Sequence, residues 1–153
     1  MEIWVINGPN LNLLGSREPE KYGIGTLADL ESDLVSAFPQ VTFRFFQSNH
    51  EGDLIDWVQK SASVSALIIN PGGFAHTSVA LSDALAANPT YKIEVHITHI
   101  FSREEYRRQS LTAIGVNASI AGAGTQGYHL AVRLALQTKA IWPSVNGPIS
   151  IDS

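Results

Sequence analysis

The sequence predicts an α/β fold: an open, doubly wound sheet of five parallel strands in the order 2-1-3-4-5, with helices on both faces. Two observations carry this. Short Val- and Ile-rich runs alternate with segments of helical period, the signature of βαβ units. Polar and glycine-rich stretches directly follow four of those runs, at the carboxyl ends of the strands, where open α/β sheets bind their ligands. Right-handed crossovers leave few other ways to order the strands. A length of 153 residues suits one domain, read here as residues 1–140. Residues 141–153, with Pro143, Gly147 and Pro148, form a C-terminal tail that either packs on a neighbouring subunit or frays.

The elements follow in order. Glu2 to Ile6 is the first strand, and the loop from Asn7 to Gly23 that follows it far exceeds the roughly four to six residues of an ordinary connection. Disordered segments are poor in apolar residues, whereas this loop holds Leu11, Leu13, Leu14 and Tyr22 among turn-forming glycines and prolines. It reads as a functional lid carrying Arg17 and Tyr22, hinged at Gly15 and Gly23. Thr26-Leu27-Ala28-Asp29 is a capping box that opens a helix on Leu27, Leu30, Leu34 and Phe38, and Pro39 ends it. Strands at Val41 to Gln47, Ala66 to Asn70, Lys92 to Thr98 and Ala118 to Ala121 alternate with helices built on Leu54, Ile55 and Val58, on Leu81 and Leu85, and on Leu130 and Leu134. A short charged helix is expected over Arg103 to Ser110.

Composition removes several classes of function. A net charge of −4 with only ten Lys and Arg gives no electrostatic footprint for nucleic acid. The absence of Cys removes disulfides, thiolate metal sites and a Cys nucleophile together, and suits the cytoplasm. No apolar run reaches a membrane span, and no basic, then apolar, then small-residue leader precedes the first strand. The expectation is a cytoplasmic protein that engages neither membrane nor nucleic acid.

The polar clusters are Asn7, Asn10, Arg17 and Tyr22 after the first strand, Ser48 to Gly52 after the second, Asn70 to Ser78 after the third, and Glu94 to His99 at the end of the fourth. In the order 2-1-3-4 the first, third and fourth strands are neighbours, so three clusters share one crevice. Each member also has a plain structural reading. Asn7, Asn10 and Asn12 beside Gly8 and Pro9 can be turn formers. His76 with Thr77 and Ser78 can cap a helix, and Asp83 can point to the crevice or to water. His96 leaves the apolar face of Ile93, Val95 and Ile97 and shares that of Glu94, whose carboxylate, about 6.6 Å along the strand, can orient the ring.

Two motifs point elsewhere and are discounted. Gly122-Ala123-Gly124-Thr125-Gln126-Gly127 fits the dinucleotide fingerprint G-x-G-x-x-G, but that motif belongs early in a βαβ unit, and here the chain is nearly finished. Tight packing of helix on sheet explains those glycines better. His96 and His99, three apart on a strand, face opposite sides, so a shared metal would need an irregular backbone. No cofactor and no metal are expected.

Arg17, Tyr22, His96 and Asn10 together suit proton chemistry beside a carbonyl. A phenol titrates near pH 10, and each unit of depression needs about 1.36 kcal/mol of preferential phenolate stabilisation. A desolvated guanidinium can supply that, and lid closure would bring Arg17 to Tyr22 while excluding water. His96 would act as acid for a leaving hydroxyl and Asn10 as a neutral donor to an enolate oxygen.

Asn7-Gly8-Pro9-Asn10-Leu11-Asn12-Leu13-Leu14-Gly15, Arg17-Glu18-Pro19 with Tyr22-Gly23, Gln47 to Gly52, Ile69-Asn70-Pro71-Gly72 with His76-Thr77-Ser78, and Glu94-Val95-His96 together resemble type II 3-dehydroquinate dehydratases, from the first strand to about Ala140. The resemblance implies a flavodoxin-like subunit, a homododecamer arranged as a tetramer of trimers, and cofactor-free dehydration of 3-dehydroquinate to 3-dehydroshikimate. It assigns Tyr22 as the base for the C2 proton, Arg17 as the group that depresses its pKa, His96 as the acid for the C1 hydroxyl and Asn10 as the enolate holder. Asn70, His76, Asp83, Ile97, Thr98 and Arg107 match positions that bind the substrate's hydroxyls and carboxylate. The chain departs from the family pattern at Thr98-His99, where Ser-Asn is usual, at Phe101-Ser102 in place of His-Ala, at Ala75 where a hydroxyl residue commonly precedes His76, and over Ser110-Leu111-Thr112-Ala113-Ile114. Thr98 keeps a hydroxyl and a backbone amide, while His99 introduces a ring that can charge. The rival readings are a non-catalytic module binding a nucleotide or flavin through Gly122 to Gly127, and a metal-assisted hydrolase using His96 and His99.

Overall fold

The computed structural model describes residues 1–16, 20 and 25–141, with side chains through Thr138. Arg17, Tyr22 and Gly23 of the expected lid, and the tail beyond 141, lie outside the described residues.

The five strands are β1 (Glu2–Asn7), β2 (Thr42–Gln47), β3 (Ala66–Asn70), β4 (Tyr91–His96) and β5 (Ala118–Ala121). All pairs are parallel and the order is β2-β1-β3-β4-β5, as the alternation of patterns predicts. Helices α1 (Leu27–Ala37), α2 (Glu51–Lys60) and α3 (Val79–Ala87) form the first three crossovers, 3-10 turns connect β4 to β5, and α4 (Gln126–Ile141) follows β5. Strand residues alternate between two apolar layers. Ile3, Val5, Ile68, Ile93 and Val95 pack with Leu30 and Leu34 of α1 and with Tyr128, Ala131, Val132 and Ala135 of α4. Trp4, Ile6, Leu67 and Ile69 pack with Leu54 and Val58 of α2 and with Leu81 and Leu85 of α3.

The capping box at Thr26 forms in full: its hydroxyl accepts from the Asp29 amide, and the Asp29 carboxylate accepts from the Thr26 amide. That satisfies two amides that would otherwise lack partners at the start of α1.

Three expectations need correction. The fourth strand stops at His96, two residues short of Thr98, because the turn after β5 takes over its last carbonyls: Gly122 N–H donates to His96 at 3.1 Å and Gly124 N–H to Ile97 at 3.0 Å. Arg103 to Ser110 contains only one 3-10 turn, Glu105–Arg107. So short and charged a segment has no apolar stripe to bury, and an isolated helical nucleus is costly. On α4 the buried face is Tyr128, Ala131, Val132 and Ala135, while Leu130 is 48% exposed. Both stripes have helical spacing, so period alone did not choose between them.

Gly122 to Gly127 behave as packing residues. Gly122 and Gly124 adopt φ of +87° and +59° to bring their amides onto the end of β4 and onto Ile97 just beyond it, and a Cβ on Gly127 would sit 3.1 Å from Val95 Cγ1. Amides spent on strand carbonyls cannot cradle a phosphate.

Candidate active site

The ends of β1, β3 and β4 open onto a cleft of about 130 Å³. Its lining includes Asn10, Asn70, His76, His96, Ile97, Thr98 and Arg107, seven of the residues singled out by sequence. Asp83 is not among them: it is exposed on α3. Arg17 and Tyr22 lie outside the described residues.

Alternation along β4 sends Val95 into the α1/α4 layer, and Glu94 and His96 to the opposite face. Glu94 is fully buried, yet its carboxylate is richly partnered. His96 Nε2 lies 2.6 Å from Oε1, Ser110 Oγ donates to Oε1 at 2.7 Å, and Thr112 Oγ1 donates to Oε2. Burial pushes the Glu94 carboxyl up, but the hydrogen bond and charge of His96, with the Thr112 and Ser110 hydroxyls, outweigh it and hold it below the ordinary carboxylate range. An ionised Glu94 takes the Nε2 proton of His96 as a hydrogen bond, which leaves Nδ1 as the ring nitrogen that can serve a ligand.

Ser110 and Thr112 reach Glu94 because their segment is pinned to α3 and its approach. Leu111 N–H donates to the Ala75 carbonyl at 2.7 Å, and Ser82 Oγ donates to the Leu111 carbonyl at 2.8 Å. Sequence reading missed both hydroxyls. The signal was there in Ser110-Leu111-Thr112, two hydroxyls at strand-like spacing, but nothing in that segment names a carboxylate sixteen and eighteen positions away as their partner.

His76 stacks near His96, with ring centroids 6.3 Å apart, and its Nδ1 donates to the Gln109 carbonyl at 2.7 Å, leaving Nε2 for the cleft. Ser78, not His76, caps α3, its hydroxyl accepting from Leu81 N–H. Asn10 holds a left-handed φ of +68°, and its amide donates to Asn49 Oδ1 at 2.9 Å. Such a backbone is uncommon outside glycine but is tolerated by Asn. Gly8 makes this loop possible: its amide donates to the Asn70 carbonyl at 2.8 Å, and a Cβ there would fall 2.4 Å from the Pro71 oxygen.

Arg103 is a further cation that sequence reading passed over. It lines the cleft and donates from Nη1 to Thr98 Oγ1 at 3.3 Å, while Glu104 Oε2 lies 3.3 Å from Nε of both Arg103 and Arg107. The described lining therefore carries His76, His96, Arg103 and Arg107 and no carboxylate. Such a cleft favours an anionic ligand. His99 faces away from it, exposed and edge-on to Phe101 at 5.8 Å, so the two histidines of the metal reading do not converge.

The fold agrees with the comparisons to known proteins. The sequence profile of the family described as Dehydroquinase class II matches residues 1–136. A 3-dehydroquinate dehydratase of Bartonella henselae is 50% identical over 135 residues, covering 86% of this chain and 91% of the relative. One from Rhodopseudomonas palustris strain TIE-1 is 49% identical over 135 residues, covering 85% and 89%. The crystal structure of a type II dehydroquinase from Butyrivibrio crossotus superposes with a TM-score of 0.87 at 40% identity, over 89% of this chain and 97% of that one. With the family profile spanning the sheet and every strand end that builds the cleft, the chain belongs to the class II dehydroquinase family.

Proposed function

We infer that this protein is a 3-dehydroquinate dehydratase of type II, a hydro-lyase converting 3-dehydroquinate to 3-dehydroshikimate in the shikimate pathway or in quinate use. Beside the family match, the observation that carries the reading is the buried Glu94–His96 pair opening onto a cleft lined by four basic residues. The substrate is a carboxylate with a ketone and several hydroxyls, which suits that lining.

In the proposed mechanism Tyr22, as phenolate, takes the C2 proton, and the C–H electron pair moves into an enolate. Arg17 stabilises the phenolate, and Asn10 donates to the enolate oxygen. Collapse of the enolate breaks the C1–O bond, and His96 protonates the departing hydroxyl from Nδ1, so water leaves by anti elimination. Glu94 holds the ring at Nε2 throughout. Asn70, His76, Thr98, the Ile97 backbone and Arg107 bind hydroxyls and carboxylate. No step calls on a cofactor or metal.

Incubation with 3-dehydroquinate should produce an enone absorbing in the near ultraviolet, at a rate unchanged by chelators. Borohydride added with substrate should leave no adduct on lysine. A Tyr22→Phe variant with near wild-type turnover would sink the assigned base. The proposal extends to a cytoplasmic homododecamer. Light scattering on the purified protein should give about twelve times the 16.6 kDa of one chain, and a monomer would refute that assembly.

A further inference from the structure

Among the described residues, the fully buried polar groups that the reaction leaves without a role include the hydroxyl of Tyr128. Its side chain sits in the apolar layer between the sheet and α4, yet it joins two asparagines. Oη donates to Asn7 Oδ1 at 2.6 Å and accepts from Asn70 Nδ2 at 2.9 Å. Asn7 and Asn70 are register partners, the last residues of β1 and β3, so their side chains leave the same face side by side. Asn7 is completely buried and Asn70 is 4% exposed at the cleft wall.

The two ends of a carboxamide are nearly the same size and differ in what they donate or accept, so partners decide which way the group turns. At Asn70 the partners make opposite demands. Gly72 N–H, 3.1 Å from Oδ1, requires an oxygen. The Tyr128 oxygen has given its proton to Asn7 and requires an N–H. Both demands are met in one orientation alone; the flipped amide would set N–H against N–H at Gly72. With one Nδ2 proton spent on Tyr128, Asn70 keeps a second one for the cleft.

We propose that Tyr128 is a positioning residue for Asn70: its buried hydroxyl locks the amide so that Asn70 presents an N–H to an oxygen acceptor of the substrate, one of the hydroxyls of 3-dehydroquinate. The proposal rests on the reading of the cleft as the dehydroquinate site. Burial raises the phenol well above its ordinary range, against a smaller lowering by the Asn70 hydrogen bond, so the hydroxyl keeps its proton and remains a donor to Asn7. A hydroxyl in an apolar layer is a poor way to gain stability, since an unpaired neighbour is costly and an apolar replacement of the whole set is not. Orientation is what the arrangement adds.

The test is a cycle of Tyr128→Phe, Asn70→Ala and the double variant assayed with 3-dehydroquinate, together with neutron diffraction from unliganded wild-type crystals. Tyr128→Phe should raise KM about tenfold with kcat within about threefold, the loss of one buried hydrogen bond read through binding. In the Asn70→Ala background the same substitution should change KM no further. An unchanged KM in Tyr128→Phe, or an equal loss in both backgrounds, overturns the proposal, since a purely structural role would act regardless of Asn70. The neutron map should show deuterium on the Asn70 atom facing Tyr128, and oxygen there overturns it even if the variant does not fold. Wild-type protein inert toward 3-dehydroquinate would instead refute the assigned reaction, while the neutron result would still decide the lock.

Discussion

The two faces of the sheet meet the cleft in different ways. On the α2/α3 side, β4 supplies an ionised network in which the Glu94 carboxylate gathers His96, Ser110 and Thr112. On the α1/α4 side, β1 and β3 supply a neutral one, Asn7 and Asn70 joined by Tyr128. Apart from half-buried Ser110 their members are buried, and both orient a group at the strand ends. A carboxylate can stabilise a ring that gains and loses a proton, so the first suits chemistry. A phenol and two amides hold still at any working pH, so the second suits recognition. The division predicts that damage to the Glu94 network lowers kcat and damage to the Tyr128 network raises KM.

The strongest attempt to break that division is His96→Ala. Loss of a positioned general acid costs about 10² to 10⁴ in rate. Steady-state kinetics should show about a thousandfold fall in kcat with KM changed by no more than about threefold. A rise in KM of the same size as the fall in kcat would mean that the Glu94 network binds rather than reacts, and the contrast between the two networks would be lost.

How much of this was legible beforehand depends on whether a residue's role lies in its own segment or across the chain. The sheet order and the grouping of Asn10, Asn70, His76 and His96 followed from Val and Ile runs, each ending in a polar cluster, which are local patterns. The pairing of His96 with Glu94 was equally local, two residues along one strand. Ser110 and Thr112 meet Glu94 across sixteen and eighteen positions, in a segment held by the hydrogen bonds of Leu111 to Ala75 and Ser82. Tyr128 meets Asn7 across 121 positions, and nothing in its neighbourhood separates it from any aromatic residue on a helix face. Polar partners chosen by tertiary packing leave no periodic trace.

A milder perturbation acts on both faces at once. Gly8 lies where β1 and β3 leave the sheet, and Gly8→Ala would set a methyl 2.4 Å from the Pro71 oxygen and 2.6 Å from its carbon. Backbone atoms cannot yield as a flexible side chain would, so the exits must separate at a cost of about 3 kcal/mol. Thermal unfolding should fall accordingly. The neutral network should suffer first: because the Gly8 amide holds the Asn70 carbonyl, KM should rise at temperatures where the variant is still folded. Full retention of KM in folded protein would mean that Asn70 is placed without help from β1.

The finest test concerns only the ionised side. Thr112→Val keeps shape but removes a hydroxyl that donates to a buried carboxylate, a hydrogen bond worth about 1.5 to 3 kcal/mol. Because Glu94 is held below the ordinary carboxylate range in the folded protein, it contributes stability that is fully present above the unfolded pKa and is lost as pH falls through the folded value. Without the Thr112 donor that folded value rises toward the ordinary range, so less of the contribution remains at neutral pH. Urea unfolding at fixed protein concentration should therefore place the variant about 2 kcal/mol below wild type at neutral pH. The gap should shrink in acid, once Glu94 is protonated in both proteins and the charge that made the hydrogen bond strong is gone. Tyr128→Phe, on the neutral side, should show a gap that acid does not close. If the two variants lose stability with the same pH dependence, the carboxylate is not what Thr112 supports, and the two faces differ in composition but not in physics.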